Sequence, residues 1–144
     1  MIAIGSDHAG YELKQLIIKH LWTNNIDFED CGGGEEACDY PDIAKAVCEK
    51  VTNNNAEFGI LICGTGIGMS MCANKIKGIR AALCTDMYSA KCTRMHNDAN
   101  VLCLGGRVTG FAVAYEIVDI FLNTEYEGDR HVVRLQKMKD LEEK

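Results

Sequence analysis

The stretch FGILICGTGIGMSMC, Phe58 to Cys72, decides the fold. It opens on six residues with a continuous apolar core, the pattern of a strand covered on both faces, and glycines at 64, 66 and 68 end that run abruptly. Beyond them the apolar spacing changes to about 3.6 residues, which predicts a helix over Ile67 to Ile76. A strand, a glycine turn and a helix in direct succession form one unit of an α/β protein.

The same unit recurs in both directions. Strands are expected at Ile2–Gly5, Ile26–Asp30, Phe58–Cys63, Arg80–Cys84 and Val101–Leu104. Helical spacing covers Tyr11–Leu21, Ile43–Val51, Ile67–Ile76, Tyr88–Met95 and Phe111–Leu122. A barrel needs eight such units and only five are present. Right-handed crossovers put helices on both faces of a parallel sheet. The expected fold is therefore a three-layer α/β/α sandwich around a five-stranded, parallel, doubly wound (Rossmann-like) sheet. The charged segment Asp129–Lys144, with Val132, Val133, Leu135, Met138 and Leu141 as its apolar members, is expected as an extra C-terminal helix. A helix left over after the sheet is complete suits an edge or a neighbouring subunit. The length of 144 residues fits one domain, 1–144.

With 47% hydrophobic and 25% charged residues, the composition is that of an ordinary globular chain. A net charge of -6 provides no electrostatic footprint for nucleic acid. No charged leader precedes an apolar segment, and no apolar run approaches the roughly 18 residues that span a membrane. A cytoplasmic protein with neither nucleic-acid nor membrane partners is expected. The eight cysteines form no CxxC pair and mostly sit in apolar patterns such as ALC and VLCLGG, where free cysteine acts as a small hydrophobe. A core this full needs no disulfide framework.

In open α/β sheets, ligands bind beyond the carboxyl ends of the strands. Those ends carry Ser6-Asp7-His8-Ala9-Gly10, Cys63-Gly64-Thr65-Gly66-Ile67-Gly68, Thr85-Asp86 and Gly105-Gly106-Arg107. Glycines at 64, 66 and 68 permit positive φ and close approach, so backbone N–H groups could face an anion; a tight turn without ligand is the other reading. The register departs from GxGxxG, with Met69 at the third glycine position, although Asp86 stands where a ribose-binding acid would. No GK[ST] follows, which excludes a Walker loop. Cys63, just before a helix N-terminus, is open to two readings, a reactive thiolate or a buried filler. No CxxC, HxxxH or CxxH spacing supplies a metal set, so no metal site is expected. His8 and His96 each abut Asp or Asn that could orient an imidazole, or are satisfied loop histidines; His20 reads as a surface histidine. Arg130 and Arg134, four apart, either share a phosphate or face solvent, and Arg107 lies beside a glycine pair at a strand end.

Taken together, GSDHAG, DYPD, LICGTGIG with ANK and GIRAAL after it, RMHNDANVL, LGGRV and YEGDRHVVR resemble, in order and spacing over essentially the whole chain, type B ribose-5-phosphate isomerase. That family group also holds allose-6-phosphate isomerase and the galactose-6-phosphate isomerase subunits. The galactose-type subunits lack the full catalytic set, so Cys63 and His96 favour the ribose type. The resemblance implies a cofactor-free, metal-free aldose–ketose isomerisation through an enediolate. It implies Cys63 as the base at C2, Thr65 moving protons between O1 and O2, and His96 opening the furanose ring. Asp7, His8, Tyr40 and Asn97 match sugar contacts, the loop Gly64, Gly66, Ile67 and Gly68 matches the enediolate cradle, and Arg107, Arg130 and Arg134 match the phosphate set. Some members use a glutamate base, but GMSMCANK offers none. A homodimer with sites shared between subunits, with pairing into a tetramer as a further step, is also implied. A hexose 6-phosphate such as allose 6-phosphate is the alternative substrate, and a non-catalytic nucleotide-binding module is the alternative from another class.

Overall fold

The structure, a computed structural model, describes residues 1–142. Five strands, β1 (Ile2–Ser6), β2 (Phe28–Asp30), β3 (Phe58–Cys63), β4 (Ala81–Leu83) and β5 (Val101–Gly105), alternate with six helices. The helices are α1 (Tyr11–Thr23), α2 (Tyr40–Thr52), α3 (Ile67–Ala73), α4 (Met87–Asn97), α5 (Phe111–Asn123) and α6 (His131–Leu141). All strand pairs are parallel, in the order β2-β1-β3-β5-β4.

The apolar run of β3 serves two cores at once. Ile60 and Ile62 join Ile4, Leu102 and Leu104 against Leu13 and Ile17 of α1 and Ile117 and Phe121 of α5. Leu61 and Cys63 join Ala3, Val101 and Cys103 against Val47 of α2 and Met69 of α3. Side chains of a strand alternate between faces, so a strand inside a three-layer sandwich reads as continuously hydrophobic. The chain leaves β1 toward β2 on one side, while β3 lies on the other, so the loops after β1 and β3 diverge and leave a crevice between them.

Several boundaries differ from the sequence expectations for local reasons. The helix expected to reach Ile76 stops at Ala73, because the Asn74 amide exchanges two hydrogen bonds with the backbone of Ala81 and turns the chain into β4. α2 begins at Tyr40 rather than Ile43, since Pro41 suits a first helical turn, where its missing N–H costs nothing. β2 and β4, the sheet edges, are three residues each and shorter than expected. α6 starts at His131, with Arg130 at its N-cap position, and the last two residues of the expected Asp129–Lys144 helix lie outside the described residues. His20 is not a free surface group: it is half-buried, stacks on Tyr115 at 4.3 Å and meets Asp119 Oδ1 at 2.8 Å, joining α1 to α5. Among the described residues, no helix is long and apolar enough to cross a membrane.

Lys14 is 1% exposed, and its ammonium donates to both Asp30 carboxylate oxygens and to the carbonyls of Gly32 and Gly33 at 2.6 to 3.0 Å. This clamp fixes the glycine loop that leads from β2 to Tyr40. Replacing it, as in Lys14→Met, strands two carbonyls and a carboxylate, an expected loss of about 2–4 kcal/mol. Thermal unfolding of the variant measures it; an unchanged melting temperature would dismiss the clamp.

Candidate active site

The carboxyl ends of β1, β3 and β5 close around a 480 Å³ cavity lined by Asp7, His8, Tyr40, Cys63, Gly64, Thr65, Ile67, Gly68 and Arg107, with Ala9 and Met71. Asp7 is buried and accepts a hydrogen bond from Gly10 N–H at 3.0 Å, which caps the 3-10 turn His8–Gly10 and leaves His8 exposed beside it. Cys63, the last residue of β3, is 5% exposed. Its Sγ accepts the N–H of Gly66 at 3.1 Å, so the sulfur already sits opposite a donor suited to negative charge. Thr65 Oγ1 accepts from Ile67 N–H at 3.2 Å.

Of the three loop glycines, only Gly66 has positive φ, +77°, and a Cβ there would come within 2.9 Å of the Leu104 carbonyl carbon. Gly68 is needed for a different reason: a Cβ would lie 2.7 Å from the Tyr40 ring, which reaches this position from the start of α2. The loop is thus shaped by β5 behind it and Tyr40 above it. Two of its N–H groups, expected to be available to an anion, are engaged by the loop's own Cys63 and Thr65 side chains. Asp86 serves as a structural cap, not as a ribose-binding acid: its carboxylate accepts Ser89 N–H at 2.7 Å at the start of α4, and these bonds hold it below the usual carboxylate range.

The remaining expected residues stand elsewhere. α4 runs from the carboxyl end of β4 back to the amino end of β5, so its C-terminal His96 and Asn97 are carried about 15 Å along the helix, away from Cys63. His96 stacks on His131 with centroids 4.5 Å apart, which places it beside the start of α6 and the exposed Arg130 and Arg134. Glu127 N–H donates to Met95 O at 3.0 Å and ties the preceding strap to the same helix end. Burial pushes the His131 imidazolium down, helped by the neighbouring Arg130. The expected set therefore divides into two groups at opposite ends of the sheet. A larger cavity of 630 Å³ lies at the amino end of β4 and takes only Asn97 from that set; the smaller one holds the reactive groups. Sequence spacing offered no metal set, yet folding brings His96, Glu127 and His131 together. Only the i,i+4 relation of Glu127 and His131 was visible beforehand.

Burial pushes the Cys48 and Cys84 thiols up to about 12 and the Cys103 thiol well above its usual value. These three behave as the hydrophobes that their apolar patterns suggested. In the native protein near neutral pH they are expected to resist alkylation while half-buried Cys38 and Cys92 react. Peptide mapping by mass spectrometry reads this, and rapid native labelling of Cys48 or Cys103 would contradict it.

Fold and cavity define a parallel α/β protein whose cavity, lined by Asp7, His8, Cys63 and Arg107, opens at a topological switch point. The model of the Ribose/Galactose Isomerase family matches residues 2–138. Ribose-5-phosphate isomerase B of Escherichia coli is 44% identical over 99% of this chain and 97% of its own. The solved ribose-5-phosphate isomerase B of Clostridium thermocellum superposes with a TM-score of 0.97 at 48% identity, covering 99% and 97% of the two chains. The ribose 5-phosphate isomerase of Thermotoga maritima gives 0.95 at 49%, covering 96% and 97%. The chain belongs to the ribose/galactose isomerase family.

Proposed function

We propose that this protein interconverts D-ribose 5-phosphate and D-ribulose 5-phosphate, a step of the pentose phosphate pathway, and does so as one cytoplasmic domain over residues 1–144. The observation that carries the reading is the meeting of Asp7, His8, Cys63, Thr65, Tyr40 and Arg107 around one cavity in a chain whose relatives bear that enzyme's name.

His96 opens the furanose by exchanging a proton with the ring oxygen. Cys63 thiolate then takes the C2 proton of the free aldehyde, and the electron pair moves through C1 to O1 to give the enediolate. Thr65 relays a proton between O2 and O1, and the Cys63 thiol returns its proton to C1. One group is base and then acid, so the chemistry balances without a metal or organic cofactor. Charge developing on oxygen is met by the loop Gly64, Gly66, Ile67 and Gly68, the Gly66 and Ile67 N–H groups turning to it from the Cys63 and Thr65 side chains they hold in the free protein; one such donor is worth about 10²- to 10³-fold in rate. Asp7, His8, Tyr40 and Asn97 hold the sugar, and Arg107, Arg130 and Arg134 hold the phosphate, whose binding energy positions C1 and C2.

Because α4 carries His96 to the far end of the sheet, a site needing both His96 and Cys63 is assembled from two copies of the chain. A homodimer is the smallest assembly that does this, one copy supplying the Cys63 group and the other His96, Asn97, Arg130 and Arg134; a tetramer pairs two such dimers. The deciding assay runs the purified protein on ribose 5-phosphate and allose 6-phosphate side by side. A higher kcat/KM on the pentose supports the reading, and preference for the hexose overturns it.

A further inference from the structure

We propose that His96, Glu127 and His131 form a binding site for a divalent transition-metal ion of the zinc class. One ligand atom from each residue lies within 4.8 Å of the other two. His131 is 95% buried by its 5% exposure, and its Nε2 is fully shielded with no hydrogen-bond partner. A buried, unpartnered ring nitrogen costs free energy, and Glu127 Oε2 lies beside it without completing a hydrogen bond. The two atoms are 3.4 Å apart. Ligands about 2.1 Å from a tetrahedral zinc are separated by roughly 3.4 Å along each edge, so one edge of the site already has the required length. Two histidines and one glutamate are also a common three-ligand set for zinc with an open fourth position.

The third ligand has to move. His96 is stacked on His131 with 17° between the rings, and two parallel imidazoles cannot both direct a lone pair at one ion. His96 is half-buried and Glu127 exposed, so both can turn toward the fixed His131 nitrogen. Binding thus draws His96 out of the stack. The consequence for turnover rests on the role of His96 proposed above: an occupied site withholds the ring-opening imidazole, and metal inhibits.

Cobalt titration of chelator-treated protein tests binding without turnover. Expected is a visible d–d absorption of tetrahedral intensity, saturating at one equivalent, with no thiolate-to-cobalt charge-transfer band. In Glu127→Gln the affinity falls at least about 10-fold, the loss that even an outer-shell partner commonly causes. Glu127 is exposed, so this variant remains folded where His131→Asn does not. A thiolate band, which assigns the ion to cysteine, overturns the proposal, as does unchanged affinity in Glu127→Gln or no band at millimolar cobalt. Isomerase activity is then read at saturating zinc. Inhibition that Glu127→Gln relieves supports the coupling. Binding at this site with full activity retained keeps the site but overturns the role of His96, separating the two failures.

Discussion

Cys63→Ala is expected to slow the interconversion of ribose 5-phosphate and ribulose 5-phosphate by about 10²- to 10⁴-fold with little change in KM, the range lost with a general base that acts only in the transition state. The thiol ends β3, is almost fully buried, and faces the cavity with a backbone donor already on its sulfur. Removing it leaves the Gly66 N–H without a partner, at a stability cost of about 1–3 kcal/mol, so the variant folds and the rate loss is chemical. Cys63→Ser separates position from basicity: the hydroxyl can accept the same N–H, yet a serine is a poor base near neutral pH, so it is expected to fail almost as fully. Solvent deuterium entering C2 of the aldose reads the step directly. Exchange at the wild-type rate in Cys63→Ala would remove this residue as the base and leave the loop as a binding element alone.

What sequence reading could reach here depended on whether a property was local. β3, its glycine turn and the following helix were legible because alternation of burial and a change of period are written into adjacent residues. Strand order was not, since no local pattern says that β5 inserts between β3 and β4. Individual glycines were only half legible. Their clustering announced a special loop, but Gly66 needs its left-handed φ and Gly68 needs room for the Tyr40 ring, which approaches from 28 residues away in sequence. The pairing of His131 with His96 was hidden for the same reason, as was the Lys14 clamp, a charge within an amphipathic helix whose partners lie on another loop. Arg107 and Cys63 were visible as strand-end residues because the rule that places ligands there is topological and needs only the strand assignments.

Mixing two inactive variants is expected to restore activity. Cys63→Ala chains retain the His96 group intact, and His96→Ala chains retain the Cys63 group. If each site takes one group from each of two subunits, a mixed dimer has one site with both defects and one site with none. Random reassortment makes half of the dimers mixed, so the mixture recovers about a quarter of wild-type activity from two preparations that have almost none. The physical basis is the direction of α4. A helix following a parallel strand returns along the sheet, so His96 at its C-terminus and Cys63 at the carboxyl end of β3 are separated by the length of the layer, and no side-chain rotation within one chain closes that gap. Arg130→Ala and Arg134→Ala fall into the His96 group by their place at α6, while Arg107→Ala falls into the Cys63 group by its place in the cavity. The pairing pattern therefore sorts the variants: Cys63→Ala is rescued by Arg134→Ala and not by Arg107→Ala. Chains are mixed under mildly dissociating conditions, hetero-oligomer formation is verified by native mass spectrometry, and turnover is then assayed. Mixed dimers that form in the expected proportion yet show only the residual activity of the parents would mean that each chain completes its own site, and the division of residues argued from α4 would be wrong.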